Sequence, residues 1–371
     1  MATEQTLHMV GGVGATSYAT NSLIQRQGVL KAQQVLEEAI KNLYGNNIPS
    51  CLRFADLGCS SGPNALLVAS NIMAIVDSIS HTLNCDPPSL QFFLNDLYGN
   101  DFNSIFKALP DLYIRMEKEK GPRSSPCFFN ATLGSFYGRV YPSNSINFFH
   151  SSFGQHFLSQ PPKGLLNKGN TYFTSTTPAE VYNSYLEQFK QDFNVFLKSR
   201  SEELVPNGGM VLVFFGRDGK DQNQTMITPW ALVGIVLNDM VVENIVEEAK
   251  LDSFNFPIYA PTPDEVKERI EAEGSFTLKR MELIKYGWEA GLITNNNNND
   301  DEGLLVDEES KGEYIAKYVR AITEPLLKAH FGESIMDPLF IRYKKKVANL
   351  LKVQKLEHSI LAMFMTKKCF N

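Results

Sequence analysis

The stretch that most restricts the fold is residues 51–82. The run CLRFADLG stops at a glycine, the turn CSSGPN follows, and ALLVASNIMAIVDSI then repeats apolar residues at helical spacing. A strand that passes through a tight turn into a helix is a β-turn-α unit. Gly58 and Gly62 let the backbone bend sharply and approach a ligand, and Pro63 suits the first turn of the helix. SLQFFLND, INFFHSSF and GGMVLVFFG read as further strands, and EVYNSYLEQFKQDFNVFLKSRSEEL, between the last two, as a crossover helix. The alternation predicts an α/β fold with a mostly parallel sheet, whose ligands sit outside the carboxyl ends of the strands.

After FFGRDGKD the pattern changes to helices, with a last strand expected near HSILAMFMT. The expected division is a core over 1–216 whose N-terminal segment serves as a lid, a mostly helical cap over 217–350, and 351–371 returning to the core. A total of 371 residues is long for one hydrophobic core, which suits one large domain with a sizeable insertion, or two domains. The polar run at 295–303, NNNNNDDEG, reads as a surface loop.

Composition excludes several classes of function. A net charge of −6 argues against a nucleic-acid surface, which would carry clustered excess Lys and Arg. No uncharged apolar window of about 18 residues marks a membrane span. The N-terminus has neither a basic nor an apolar signal region, and the five cysteines include no CxxC pair. The expectation is a cytoplasmic protein with free thiols, in which the Asn-x-Thr sites at Asn130 and Asn223 are chance matches.

The glycine turn itself discriminates among ligands. A dinucleotide site would show G-x-G-x-x-G with an acid about 20 residues on. Here the glycines are spaced G-x-x-x-G, and the next strand-end acid after Asp56 is Asp96. Asp96 is placed to accept ribose hydroxyls, and Asp56 beside the turn would repel a pyrophosphate while attracting an amino or sulfonium group. This favours S-adenosylmethionine over NAD, with other nucleotides or a ligand-free turn as the alternatives.

Several runs together resemble the plant SABATH methyltransferases, which act on salicylate, benzoate, jasmonate and theobromine. They are GGVGATSYATNSLIQ, DLGCSSGPN, FLNDLYGNDFN, GSFYGRVYPSNSINFFHSSF, LSQPPKGL, LDSFNFPIYAPTPDEV and EPLLKAHFGESIMDPLF, and they span nearly the whole chain. The resemblance implies a Rossmann-like class I methyltransferase sheet under a helical cap, in a homodimer. It assigns donor contacts to Tyr18, Cys59, Asn64, Asp96, Leu97, Ser135 and Phe136, with Asp56 at the turn. It places the acceptor against Gln25, Phe153, Gln155, His156 and Phe157, with Trp230, Tyr259 and His358 as walls from the cap side. Some members bind Mg²⁺ at positions matching Asn167, Asp252, Phe254 and Asn255; oxygen ligands suit that ion, and the alternative is that these residues only shape their loop.

The sequence departs from the family at the acceptor wall. Phe157 stands where a Trp usually shares the acceptor carboxylate with the Gln, and Phe153 where a Tyr is usual. Phe cannot donate, and a lost hydrogen bond to a charged group is worth about 1.5–3 kcal/mol. Methyl transfer is an in-line displacement in which an ionised carboxylate needs no base, so the expected catalytic contribution is positioning, with Gln25 and His156 as orienters. The leading expectation is carboxyl O-methylation of a small plant acid. N-methylation of a xanthine-like heterocycle is the alternative, suggested by SQPPKGL and the altered wall, with a non-catalytic S-adenosylmethionine binder as the third.

Overall fold

The computed structural model describes residues 7–44, 49–121, 125–165, 167–174, 177–219, 228–292 and 307–369. The polar run at 295–303 and the Asn-x-Thr site at Asn223 lie outside them. Three helices, α1 (Tyr18–Asn21), α2 (Leu23–Lys31) and α3 (Gln33–Tyr44), precede β1 (Cys51–Leu57), α4 (Pro63–Thr82) and β2 (Ser89–Asp96). Next come α5 (Phe102–Lys107), α6 (Leu109–Lys120), β3 (Cys127–Leu133), β4 (Ile146–Ser152), α7 (Ala179–Glu203) and β5 (Leu204–Phe215). The remainder is α8 (Pro229–Val242), α9 (Glu248–Ser253), α10 (Pro263–Glu273), β6 (Phe276–Gly287), α11 (Glu308–Phe331), α12 (Met336–Leu351) and β7 (Glu357–Lys367).

The seven strands form one sheet in the order β3-β2-β1-β4-β5-β7-β6. All neighbours are parallel except β7, which runs antiparallel to both β5 and β6. Helices cover both faces, so the central strands are apolar on both: β4 is buried from Ile146 to Ser151, and β5 from Gly208 to Phe215 is buried too. One buried cluster combines α3, α4 and the cap, and a second combines α7 and α10 with the opposite face. By length and composition α4 could cross a membrane, but half of its apolar window is buried in the fold, as a core helix requires.

Two strands escaped the sequence reading, β3 and β6, and they are the two edges of the sheet. Each pairs on one side only, so its residues are largely half-buried or exposed and carry no continuous apolar run. The presence of β6 also changes the expected division of the chain. The segment 217–350 is not one cap: α8 and α9 leave the core, α10 and β6 return to it, and α11 and α12 leave again. β7 lies between β5 and β6, with β6 at the edge beyond it.

Candidate active site

At the carboxyl ends of β1, β2 and β4 the described residues line a cavity. Its donor-like side starts with the glycine turn, where Gly58 has φ +73° and Gly62 φ +122°, conformations open to glycine. A Cβ on Gly62 would lie 2.7 Å from the Ala19 backbone, so the missing side chain lets α1 pack directly on the turn. That packing brings Tyr18 over the cavity, where its hydroxyl hydrogen-bonds with the Asn64 side chain and burial holds it protonated. Asn64 in turn donates to the Ser22 carbonyl at 3.0 Å, tying the N-terminal segment to α4.

Asp96 is the only charged side chain among the described lining residues. Its two carboxylate oxygens each accept a backbone N–H at 2.7 Å, from Ser60 and from Leu97, which locks the glycine turn to the end of β2. Burial nevertheless pushes its pKa up to about 6, with the nearby Asp56 adding to the rise and the two N–H groups opposing it. Ser135, Phe136 and Tyr137 continue this wall. They are held from behind by α7: Arg200 donates to the carbonyls of Phe136 and Gly138 at 2.7 Å, and Glu203 accepts the N–H groups of Val140 and Tyr141 at 2.6 and 2.9 Å. Arg200 and Glu203 are wholly buried and lie 2.7 Å apart as an ion pair.

The facing wall is mostly apolar. Gln25 from α2, Phe153, His156 and Phe157 from the segment after β4, Phe215 at the end of β5 and Ile322 from α11 line it. The loop carrying His156 and Phe157 is pinned by a bridge between Phe157 and Ile258, by Tyr259 N–H donating to the His156 carbonyl at 2.8 Å, and by Tyr137 Oη donating to the Phe157 carbonyl. His156 lies among the rings of Phe153, Phe157 and Phe215, and its Nδ1 has no hydrogen-bond partner among the described residues. Burial, with the nearby His358 adding, pushes its pKa down to about 3, so the ring is neutral at ordinary pH. Gln25 Oε1 is likewise buried without a partner among the described residues.

Of the residues singled out in the sequence, Tyr18, Gln25, Asp96, Leu97, Ser135, Phe136, Phe153, His156 and Phe157 meet on this cavity. Others do not. Asp56 turns its carboxylate to His150 Nδ1 at 2.7 Å, under the turn and beside α4, instead of into the cavity. Cys59 packs with Ala65, Leu66, Leu94 and Ile105. Gln155 is buried behind the wall, its amide 3.4 Å from Ser151 Oγ. Trp230 sits one layer back, edge-on to Phe215. His358 is likewise behind Phe215, bonded to Tyr318 Oη at 3.0 Å.

Tyr259 is the clearest displacement. The extended pairing that puts Ile258 opposite Phe157 turns Tyr259 to the other face of the sheet, where its hydroxyl joins Arg217, Tyr182 and Glu265. The candidate magnesium residues close on one another: Asn255 Oδ1 accepts from Asn167 Nδ2 at 3.0 Å and from Tyr185 Oη at 3.4 Å, and Asn255 Nδ2 donates to the Leu165 carbonyl. The Tyr185 hydroxyl has its shorter contact with the Phe256 carbonyl at 3.0 Å, and Asp252 contributes its backbone carbonyl to Asn167 N–H, so these residues brace their own loop; the described residues contain no group of three or more His, Cys, Asp or Glu side chains that could hold a metal ion. Sequence reasoning missed Leu7, Met9, Tyr137, Phe215 and Ile322 on the cavity wall. Phe215 could have been found from its place at a strand's carboxyl end; Ile322 comes from a distant helix and has no local signal.

The comparisons with known proteins agree with this geometry. The profile described as SAM-dependent carboxyl methyltransferase matches residues 4–368. A probable jasmonic acid carboxyl methyltransferase of Theobroma cacao is 41% identical, the match covering 99% of this chain and 100% of that protein. A salicylate carboxymethyltransferase of Clarkia breweri is 42% identical over 96% of both chains, and a probable caffeine synthase of Coffea canephora is 40% identical over 99% of this chain and 98% of its own. The solved structure of loganic acid methyltransferase with SAH matches with a TM-score of 0.79 and 32% identity, covering 97% of this chain and 99% of that one. A parallel sheet closed by an antiparallel seventh strand, a glycine turn locked to a strand-end carboxylate, and a match over nearly the whole length place this chain in the SAM-dependent carboxyl methyltransferase family.

Proposed function

We propose that the protein transfers the methyl group of S-adenosylmethionine to the carboxylate of a small, largely apolar acid and releases the methyl ester. The observation that carries this reading is the state of His156. It is the one imidazole among the described lining residues, it is buried between aromatic rings with no acidic partner, and its proton affinity is depressed to about pKa 3. Such a ring is a poor base at neutral pH. Attack by a ring N–H requires a proton to leave, whereas a carboxylate is already ionised and requires only placement.

The donor supplies a methyl group on a sulfonium, whose positive charge lowers the cost of bringing a carboxylate into an apolar pocket. In this reading Asp96 accepts the ribose hydroxyls, Ser135 and Phe136 hold the adenine, and Tyr18 closes the donor in. Gln25 turns its amide N–H to one carboxylate oxygen, and the neutral His156 can donate a ring N–H to the other. Phe157 contributes shape and dryness.

The test is transfer of labelled methyl from S-adenosylmethionine to two pools, small aromatic and aliphatic acids in one and xanthines in the other, followed by mild alkali. The ester reading expects label in the acid pool that alkali releases. Alkali-stable label from the xanthine pool alone would overturn it.

A further inference from the structure

Gly28 lies in the interior of α2 on the buried face that also presents Gln25. A glycine inside a helix is about 1 kcal/mol worse than alanine, so its presence needs a local reason. The structure supplies one. A Cβ built on Gly28 would lie 2.4 Å from Phe153 Cζ, 2.8 Å from Phe153 Cε2 and 3.0 Å from Tyr286 Oη. The tip of the Phe153 ring is seated directly against the helix backbone.

Phe153 has little freedom to withdraw. Its φ is +59°, a left-handed conformation that an aromatic residue rarely adopts, and its N–H donates to the Val213 carbonyl at 2.6 Å. The next residue, Gly154, has room for no larger side chain without pressing on Ser151 Oγ at 3.1 Å and on the Phe136 ring. Phe215, at 5.2 Å between ring centroids, backs the ring on another side. The open side that remains is the cavity, which Phe153 lines.

We infer that Gly28 and Phe153 form a matched pair that sets the width of the acceptor pocket on its α2 side, and so the bulk of the acid the enzyme accepts. The notch at Gly28 draws the ring out of the cavity; filling the notch would drive the ring in. The same notch explains the loss of the family's usual Tyr at 153, since a hydroxyl on Cζ would have to occupy space beside the helix backbone. Gly28 touches no reacting atom: it is a specificity-determining position acting through Phe153. The inference rests on the acceptor pocket proposed above, but not on which atom of the acceptor is methylated.

The experiment is a double-mutant cycle of Gly28→Ala and Phe153→Leu, read in kcat/KM for a series of acceptors of increasing bulk, in KM for S-adenosylmethionine, and in unfolding midpoint. The added methyl is about 1 Å short of ordinary contact, so the ring must shift by that much. Gly28→Ala should lower kcat/KM for the bulkiest accepted substrate by about a hundredfold, and less for the smallest, with KM for the donor unchanged. It should also lower the unfolding midpoint, although alanine is the better helix former. Phe153→Leu should widen the accepted series, and Gly28→Ala in that background should cost no more than about threefold.

A Gly28→Ala enzyme with wild-type acceptor preference, or effects of the two substitutions that simply add, would overturn the pair. If acids are not methylated but xanthines are, the carboxyl reading fails while the pair is scored on xanthines of graded size. If neither pool is methylated, the unfolding-midpoint cycle still decides whether the two residues are coupled.

Discussion

Asp96 offers the most exposed prediction, because its two roles respond to pH in opposite directions. Both carboxylate oxygens are committed to backbone N–H groups of Ser60 and Leu97 at 2.7 Å. In Asp96→Asn one of those N–H groups must face the amide NH₂, and a buried donor left without an acceptor costs about 1–3 kcal/mol of stability. If Asp96 holds the donor as proposed, loss of the charged acceptor for the ribose hydroxyls removes about a further 1.5–3 kcal/mol from donor binding, a weakening of about ten- to a hundredfold. Calorimetric titration with S-adenosylhomocysteine at pH 7.5 measures this directly.

The pH dependence adds a sign. In the folded protein without ligand the carboxyl is raised to about 6 from an ordinary value of 3.8, so folding favours its protonated form. Its contribution to stability is therefore full below pH 3.8 and is lost as pH rises through about 6. Donor binding needs the ionised form and runs the other way: at pH 5 about a tenth of the protein is competent, so apparent affinity should fall about tenfold from its value at neutral pH. Asp96→Asn should lose that pH dependence. A variant that binds within about twofold of wild type and keeps the same pH profile would refute the assignment of Asp96 to the donor.

Three further outcomes follow from other parts of the site. Arg200→Met leaves Glu203 buried and unpaired, and should destabilise the protein by about 3–5 kcal/mol in urea unfolding while raising KM for the donor more than KM for the acceptor; equal changes in the two would show that α7 does not hold the Phe136 wall. The pH profile of kcat/KM should contain no inflection from His156 between pH 5 and 8, because that ring titrates near 3; an inflection near 6.5 that disappears in His156→Gln would contradict the neutral imidazole. Phe157→Trp restores an indole N–H to the acceptor wall and should raise kcat/KM for simple acids about tenfold or more, whereas an unchanged value would mean that Gln25 and His156 already complete the carboxylate clamp.

Strands β4, β5 and β7 were legible in the sequence because each is buried on both faces and is written largely in apolar residues, and the connecting helices because their apolar residues recur at helical spacing. The edge strands β3 and β6 were not, since a strand paired on one side can mix Arg280, Glu282 and Lys285 with Leu283 and Tyr286 and still satisfy its backbone. The cavity wall beside the glycine turn was legible in part: Asp96 from its place at a strand end, and Leu97, Ser135 and Phe136 only through the family resemblance. Asp56 and Tyr259 went to other faces because period-two alternation and one bridge partner decide which way an extended residue points, and the partner is known only from the fold. The sequence by itself determined the class of chemistry, an α/β sheet with a methyl-donor turn. Tertiary structure decided what completes the apolar wall, where Phe215 of β5 and Ile322 of α11 join Gln25 of α2 across large chain separations, and where a missing methyl at Gly28 leaves the seat for a ring 125 residues away.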